Sequence, residues 1–346
     1  MHWTVAAPFI HSLELSSSAW LTPYVPGNRH SFTIVPHSIP LQNWHDRRSA
    51  TTSFHEWVRY GQQAIDALQQ AQGGGVIVVF PQLAATVGIL QQLAPRPFPV
   101  VAWLFNIGTC YGGWRRQIAQ LSLRRIDRFV VHTKREREIY SEWLQLPIER
   151  FEFVPYQVSE IPITHSENTE QPFLVALGSA HRDFATLFAA VDRLKLPTVV
   201  ASGTRALEGF TIPTSVQTPF GISKQDCLQL AQEARINIVP LLPNAAATAA
   251  GQVTIVEAMR MKRALIVTRC NGAEDYVQDG KTGLLVEPNS IESLVEAIQL
   301  LWNDADLRQR LGEAAGEYAA AHFSDEAAGQ SLGRILDKVA DQASYC

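Results

Sequence analysis

Hydrophobic positions along this 346-residue chain gather into short apolar runs, with amphipathic stretches between them. Runs at Trp3–Ala7, Ser31–Val35, Val76–Phe80, Val100–Phe105 and Arg128–His132 read as strands, followed by a short one at Phe151–Pro155. His55–Gln70, Gln82–Leu93 and Gly113–Leu123 read as helices between them. Fully apolar runs alternating with helices predict parallel βαβ units whose sheets are covered on both faces. The polar, Pro-containing segment Ser159–Pro172 breaks the pattern, which then restarts. Phe173–Leu177, Thr198–Ala201 and Asn237–Pro240 are its strands, and Asp183–Leu194 and Lys224–Glu233 its helices. The prediction is an α/β chain of two doubly wound, Rossmann-like domains, residues 1–160 and 161–324, with ligands at the strands' C-terminal ends. In residues 325–346, Leu332, Ile335, Leu336 and Val339 recur at helical spacing. That helix either crosses back onto the first domain or caps the second.

The candidate chemistry concentrates between Gly251 and Pro288, GQVTIVEAMRMKRALIVTRCNGAEDYVQDGKTGLLVEP. It reads as a glycine-led helix, a buried strand, a polar loop and a second short strand. A helix N-terminus presents free N–H groups and a positive dipole end, which suit a phosphate. Glu257 lies within side-chain reach of that end. A carboxylate there suits a neutral hydroxyl pair, such as a ribose diol, better than a second phosphate.

The order VTIVEAM, ALIVT, Asn271-Gly272, DGKTGLLVEP and SLVEAIQLLWNDADLRQRL resembles the donor-binding half of glycosyltransferase family 4, the retaining GT-B enzymes. The resemblance is close in the second half of the chain and looser in the first. It implies two facing domains, transfer of a sugar from a nucleotide diphosphate to a hydroxyl, and an α-linkage. It implies no cofactor and no metal, because amides and cations neutralise the leaving diphosphate. In its terms Gly251, Gln252, Val253 and Thr254 bind the donor, with Glu257 on the ribose hydroxyls. Gly203 and Arg205, just past a strand, are candidates for the base pocket.

The departures from the family pattern matter as much. Ala249 stands where the family has its first Glu, near the donor sugar. Ser179 follows Gly178 where the family has an Arg, which leaves Arg182 to take the cationic role on the diphosphate. Alternatively, Arg182 pairs with Asp183. Lys262 and Ala264 replace the family's Gly and Pro at a helix–strand turn. In the first half, Asn106 falls where relatives carry a His or Asp facing the sugar. It either touches a sugar hydroxyl or forms an Asn-x-Gly turn. An Asn is no general base, which suits a front-face mechanism in which the leaving phosphate takes the acceptor proton. His11 and Ser12, after the first strand, are acceptor-side candidates.

Composition sharpens the picture. Residues 1–160 carry 14 Lys and Arg against 11 Asp and Glu, and residues 161–346 carry 15 against 22. A pI near 6.2 argues against nucleic-acid binding. Cys110, Cys227, Cys270 and Cys346 are far apart and read as free thiols in a reducing, cytoplasmic compartment. No apolar run spans a bilayer and no signal peptide is legible. Trp114–Arg137 is basic and amphipathic: it either lies on an anionic membrane, on its inner face, or covers the sheet. The expected partners are a nucleotide sugar and a glycan, lipid-linked glycan or lipid acceptor. The rivals are a non-catalytic protein that binds nucleotide sugar or partners an active transferase, and an epimerase or phosphorylase on the same fold.

Overall fold

The computed structural model describes residues 1–11, 20–37, 52–71, 73–93, 97–243 and 249–343. The chain divides into two compact units, one of Met1–Val154 with Asp325–Cys346 and one of Pro155–Ser324.

The first unit holds β1 (His2–His11), β2 (Ser31–His37), α1 (Phe54–Gln70), β3 (Gly75–Val79), α2 (Pro81–Leu93), β4 (Val100–Trp103), α3 (Gly113–Leu123), β5 (Arg128–Val131), α4 (Lys134–Leu144) and β6 (Phe151–Phe153). The strands pair in parallel in the order β2-β1-β3-β4-β5-β6. Period-2 alternation splits β3 between two cores. Val76 and Val78 pack with Tyr60, Leu83 and Phe129 on the face that α1 and α2 cover. Ile77 and Val79 pack on the opposite face with Trp3, Trp103, Leu332 and Leu336.

Those two leucines belong to α10 (Asp325–Ala343), so the last helix closes the second face of the first sheet. Burying each fully contributes roughly 1.5–3 kcal/mol. Gly329 and Gly333 let α10 approach a 3-10 turn at Thr22–Tyr24; a Cβ on Gly329 would stand 2.3 Å from Tyr24 Cβ. Arg29 and His30 pair with Asp337, and Lys338 with Glu152, along the helix edge.

The second unit contains β7 (Leu174–Leu177), α5 (Phe184–Leu194), β8 (Thr198–Ala201), β9 (Val216–Gln217), α6 (Lys224–Glu233), β10 (Ile236–Val239), α7 (Gln252–Arg260), β11 (Leu265–Thr268), β12 (Leu284–Val286), α8 (Ile291–Asn303) and α9 (Ala305–His322). Its strands are also parallel, in the order β12-β11-β10-β7-β8-β9.

The segment expected to separate the domains, Ser159–Pro172, packs within this unit, and the division falls after Val154. Specific bonds hold the segment, and the residues just before it, in that unit. Val158 N–H donates to Phe323 O at 2.9 Å, Tyr156 N–H to Tyr276 Oη at 2.8 Å, and Arg235 and Arg308 both pair with Glu167. At the turn after α7, Lys262 adopts φ +56°. Gly312 and Gly316 of α9 leave room for its backbone and stem.

Candidate functional site

The second sheet has a switch point between β7 and β10. The chain winds outward from β7 through β8 to β9, then returns on the other side through β10. In such sheets ligands bind at the strands' C-terminal ends beside that point. Two loops meet there, Gly178–Asp183 after β7 and Pro240–Gly251 after β10, with 244–248 outside the described residues. An antiparallel bridge, Arg182 with Leu241, laces them together. Asp183 N–H donates to Pro240 O at 3.0 Å and Leu242 N–H to His181 O at 2.9 Å.

Gly251 is the N-cap of α7, at φ +87°. L side chains avoid that conformation, and a Cβ would lie 2.8 Å from Leu241 Cδ2 and 3.1 Å from Val239 Cγ1. No side chain caps the helix. The first-turn amides of Gln252, Val253 and Thr254 therefore lie at the positive dipole end without intrahelical acceptors.

Arg182 lies beside them. Its Nε donates to Leu177 O at 3.2 Å, Nη1 to Ala180 O at 2.9 Å, and Nη2 to Thr254 Oγ1 at 3.2 Å. Asp183 is not its partner, because that carboxylate caps α5 by accepting from Thr186 N–H at 3.0 Å. Among the described residues no carboxylate lies within ion-pair distance of Arg182. Burial pushes its pKa down to about 10, the direction expected when a cation loses water without gaining an anion. Gly178, at φ +94°, makes room for it: a Cβ there would stand 2.6 Å from Nη2.

Other candidates have structural duties at the same place. Ser179 Oγ accepts from Gly203 N–H at 2.7 Å and Ser202 Oγ–H at 3.0 Å, tying the loops after β7 and β8. Gly203 opens the 3-10 turn Thr204–Ala206 that carries Arg205, and both residues are exposed. Gln252 Nε2 donates to Asn271 O at 2.8 Å, and Asn271 Nδ2 to Leu242 O at 3.0 Å. Asn271 and Gly272 are consecutive positive-φ residues, which explains that dipeptide. Val253 is partly exposed, and Ala249 is buried.

Glu257 follows Thr254 by three residues, on the same face of α7. Its Oε1 pairs with Lys224 Nζ, from the first turn of α6. Sequence reasoning missed Lys224, because only its local setting is legible there: Ser223 and Asp226 form a capping box around it. Tyr156 is a second addition; burial, then the Glu257 charge, raises its phenol.

In the first unit the candidates are less concentrated. Asn106 is exposed, and its Oδ1 accepts from Gly108 N–H at 2.8 Å, forming the Asn-x-Gly turn. His11 ends β1 opposite His37; its side chain and all of Ser12 lie outside the described residues. Helix α3 buries Ser122 and Leu123 yet exposes Trp114 (67%), Ile118 (52%) and Leu121 (61%) on one face. Arg115 sits over the rings of Tyr111 and Trp114, at 4.9 and 5.5 Å. No described helix is long and apolar enough to cross a membrane. Among the described residues no three His, Cys, Asp or Glu side chains cluster as metal ligands.

Residues 207–318 match the family model for glycosyl transferases group 1. The match takes in α6, α7, Lys224 and Glu257. An 87-residue stretch is 34% identical to an alpha-D-kanosaminyltransferase of Streptomyces kanamyceticus, covering 25% of this chain and 22% of that protein. The chain thus spans about a fifth of the length of this curated relative. The fold is similar to sucrose-phosphate synthase of Thermosynechococcus elongatus, with a TM-score of 0.71 at 14% identity over 99% of this chain and 100% of that one. Anabaena HepE in complex with UDP gives 0.65 at 12% identity, over 98% and 100%. The two-sheet α/β architecture is that of the GT-B glycosyltransferases.

Proposed function

We propose that this protein is a retaining glycosyltransferase that moves a sugar from a nucleotide diphosphate to a hydroxyl of a glycan, lipid-linked glycan or lipid. The observation that carries the reading is the pairing of Arg182 with the uncapped start of α7. A half-buried guanidinium and the first-turn amides of α7 meet where diphosphate charge would grow as the sugar leaves. The proposal assigns that neutralisation to Arg182 and to Gln252, Val253 and Thr254, without a metal. Glu257 takes the ribose hydroxyls, and Gly203 and Arg205 border the base. Asn106 is kept as a contact to a sugar hydroxyl rather than a base, with the leaving phosphate taking the acceptor proton and His11 and Ser12 on the acceptor side. The group 1 family match and the fold likeness to a UDP-bound neighbour support the reading.

The test is a thermal-shift and calorimetric screen of UDP, GDP, ADP and their sugar conjugates. One base is expected to bind, with affinity falling ~10–100-fold in Arg182→Ala through loss of charged hydrogen bonds. Glu257→Ala should weaken the same nucleotide. No binding by any nucleotide at millimolar concentration would refute the donor site.

Two observations favour a second reading, a non-catalytic protein that binds nucleotide sugar or partners an active transferase. Ala249 supplies no carboxylate, and the Asn106 side-chain oxygen is engaged in its own turn. Nucleotide binding with neither hydrolysis nor transfer of any sugar conjugate would select it.

Helix α3 extends the proposal to a cytoplasmic protein on an anionic membrane surface. Exposed Trp114, Ile118 and Leu121, with Arg115, Arg124 and Arg125 nearby, match an interfacial helix in which each cation near the surface contributes roughly 1 kcal/mol. Sedimentation with phosphatidylglycerol vesicles should carry the protein down, and Trp114→Ala/Leu121→Ser should release it. Equal sedimentation with neutral vesicles would remove this part of the reading.

A further inference from the structure

We infer that Lys224 is a positioning residue of the nucleotide site, holding one oxygen of Glu257 so that the other is presented to a ribose hydroxyl pair. The inference rests on the donor-site reading above and goes beyond it, because Lys224 belongs to neither the phosphate end of α7 nor the base loops.

The pair is unequal. The Glu257 side chain is 11% exposed and that of Lys224 is 58% exposed. An exposed lysine gains little from a surface carboxylate and loses rotamer freedom in holding one. Here it reaches inward from the start of α6 to a carboxylate set in the wall of the site. Only Oε1 of Glu257 is engaged. An ionised carboxylate has capacity for about four hydrogen bonds, and Oε2 accepts none among the described residues, nor is it sealed from solvent. Lys224 thus fixes the carboxylate plane and leaves one oxygen in reach of a ligand.

The location ties this pair to the ligand. Thr254 and Glu257 are one helical turn apart on α7, and Thr254 holds the Arg182 guanidinium. One face of the helix thus carries, in order, a cation for phosphate and a carboxylate held by a second cation. The carboxylate lies roughly one turn, ~5 Å, further along the axis. That arrangement suits a ligand with an anionic end and a neutral diol, read by acceptance of its hydroxyl protons. A 2′-deoxy nucleotide would forfeit part of that recognition.

The test compares UDP, GDP and ADP with their 2′-deoxy counterparts by calorimetry, in wild type, Lys224→Met, Lys224→Arg and Glu257→Gln. Melting curves confirm that each variant is folded, as expected for the exposed Lys224 and for an isosteric change at Glu257. Wild type should prefer the ribonucleotide by about tenfold, the usual scale for one hydrogen bond to a charged group. Lys224→Met should lose most of that preference by weakening the ribonucleotide, leaving the 2′-deoxy form within about twofold, and Lys224→Arg should restore it. Equal weakening of both forms in Lys224→Met would place Lys224 on the phosphates and overturn the inference. So would an unchanged preference, the result expected of an ordinary surface pair. If wild type binds nucleotide and Glu257→Gln alone erases the preference, the inference fails while the donor site stands. If wild type binds no nucleotide, both fail.

Discussion

Arg182 and Asn106 occupy comparable places, each just beyond a strand of a parallel sheet, and they are treated in opposite ways. Asn106 is exposed and turns its side-chain oxygen back onto Gly108 N–H. Nearby, Tyr140 accepts from Ile107 N–H and donates to buried Glu136, which also caps α4 through the amides of His132 and Thr133. The polar groups at that strand end serve the chain itself. Arg182 is held by three neutral oxygens and no carboxylate among the described residues, over a positive-φ glycine at each side. Its charge is left for something else. A polar residue after a strand thus says little about function until its hydrogen bonds are counted. What separates a binding position from a turn is whether local partners exhaust its capacity.

The contrast can be pressed hardest through stability. Leu336→Ala, in the core that α10 closes, should cost about 2–5 kcal/mol. The loss should fall on the first unit, and hydrogen exchange at β7 and β10 should change little. Uniform loss of protection in both units would show that they unfold together.

Acid provides the next effect. Burial depresses the His132 ring to about 4 and lowers His30 as well. Unfolded histidine binds a proton near pH 6.5, so between there and pH 4 the unfolded chain takes up protons that the folded ring refuses. The stability is fully present above pH 6.5 and lost on the way down, by about 3 kcal/mol for His132 at most. Asp127, whose carboxyl is raised by burial, works in the opposite sense. Urea unfolding across this window should show the first unit weakening, and His132→Gln should flatten the profile. A flat wild-type profile would sink the assignment.

The smallest effect belongs to Asn106. Asn106→Ala removes one turn hydrogen bond and should cost no more than about 1 kcal/mol. Nucleotide affinity measured by calorimetry should stay at the wild-type value. A tenfold loss would move Asn106 into the donor site and erase the contrast with Arg182.

Much of the fold is written in the chain's periodicity. Apolar runs marked the strands of both sheets to within a few positions, except the two-residue edge strand β9, because a strand buried on both faces has no polar alternation to hide. Gly251 and the Asn271-Gly272 pair were legible for a related reason: positive φ selects few residue types. The site's electrostatics were not legible. Whether Arg182 paired with Asp183 depended on Asp183 capping α5, and the partner of Glu257 lies 33 positions away on another helix. Such pairings depend on how elements cross, which no local pattern encodes. Helix α3 was ambiguous for the same reason, since its spacing shows an apolar face without saying which way the face points.

The path of the chain has a consequence for synthesis. The second unit, Pro155–Ser324, is continuous, whereas the first is completed only by Asp325 onward. As the chain leaves the ribosome, the second unit can fold as soon as its own residues have emerged. The first sheet, although made earlier, waits for Leu332, Ile335 and Leu336 of the last helix to complete the cluster that holds Ile77 and Val79. The half of the molecule translated first is therefore the last to be finished, and for the length of the second unit it depends on whatever shields an apolar sheet in the cell.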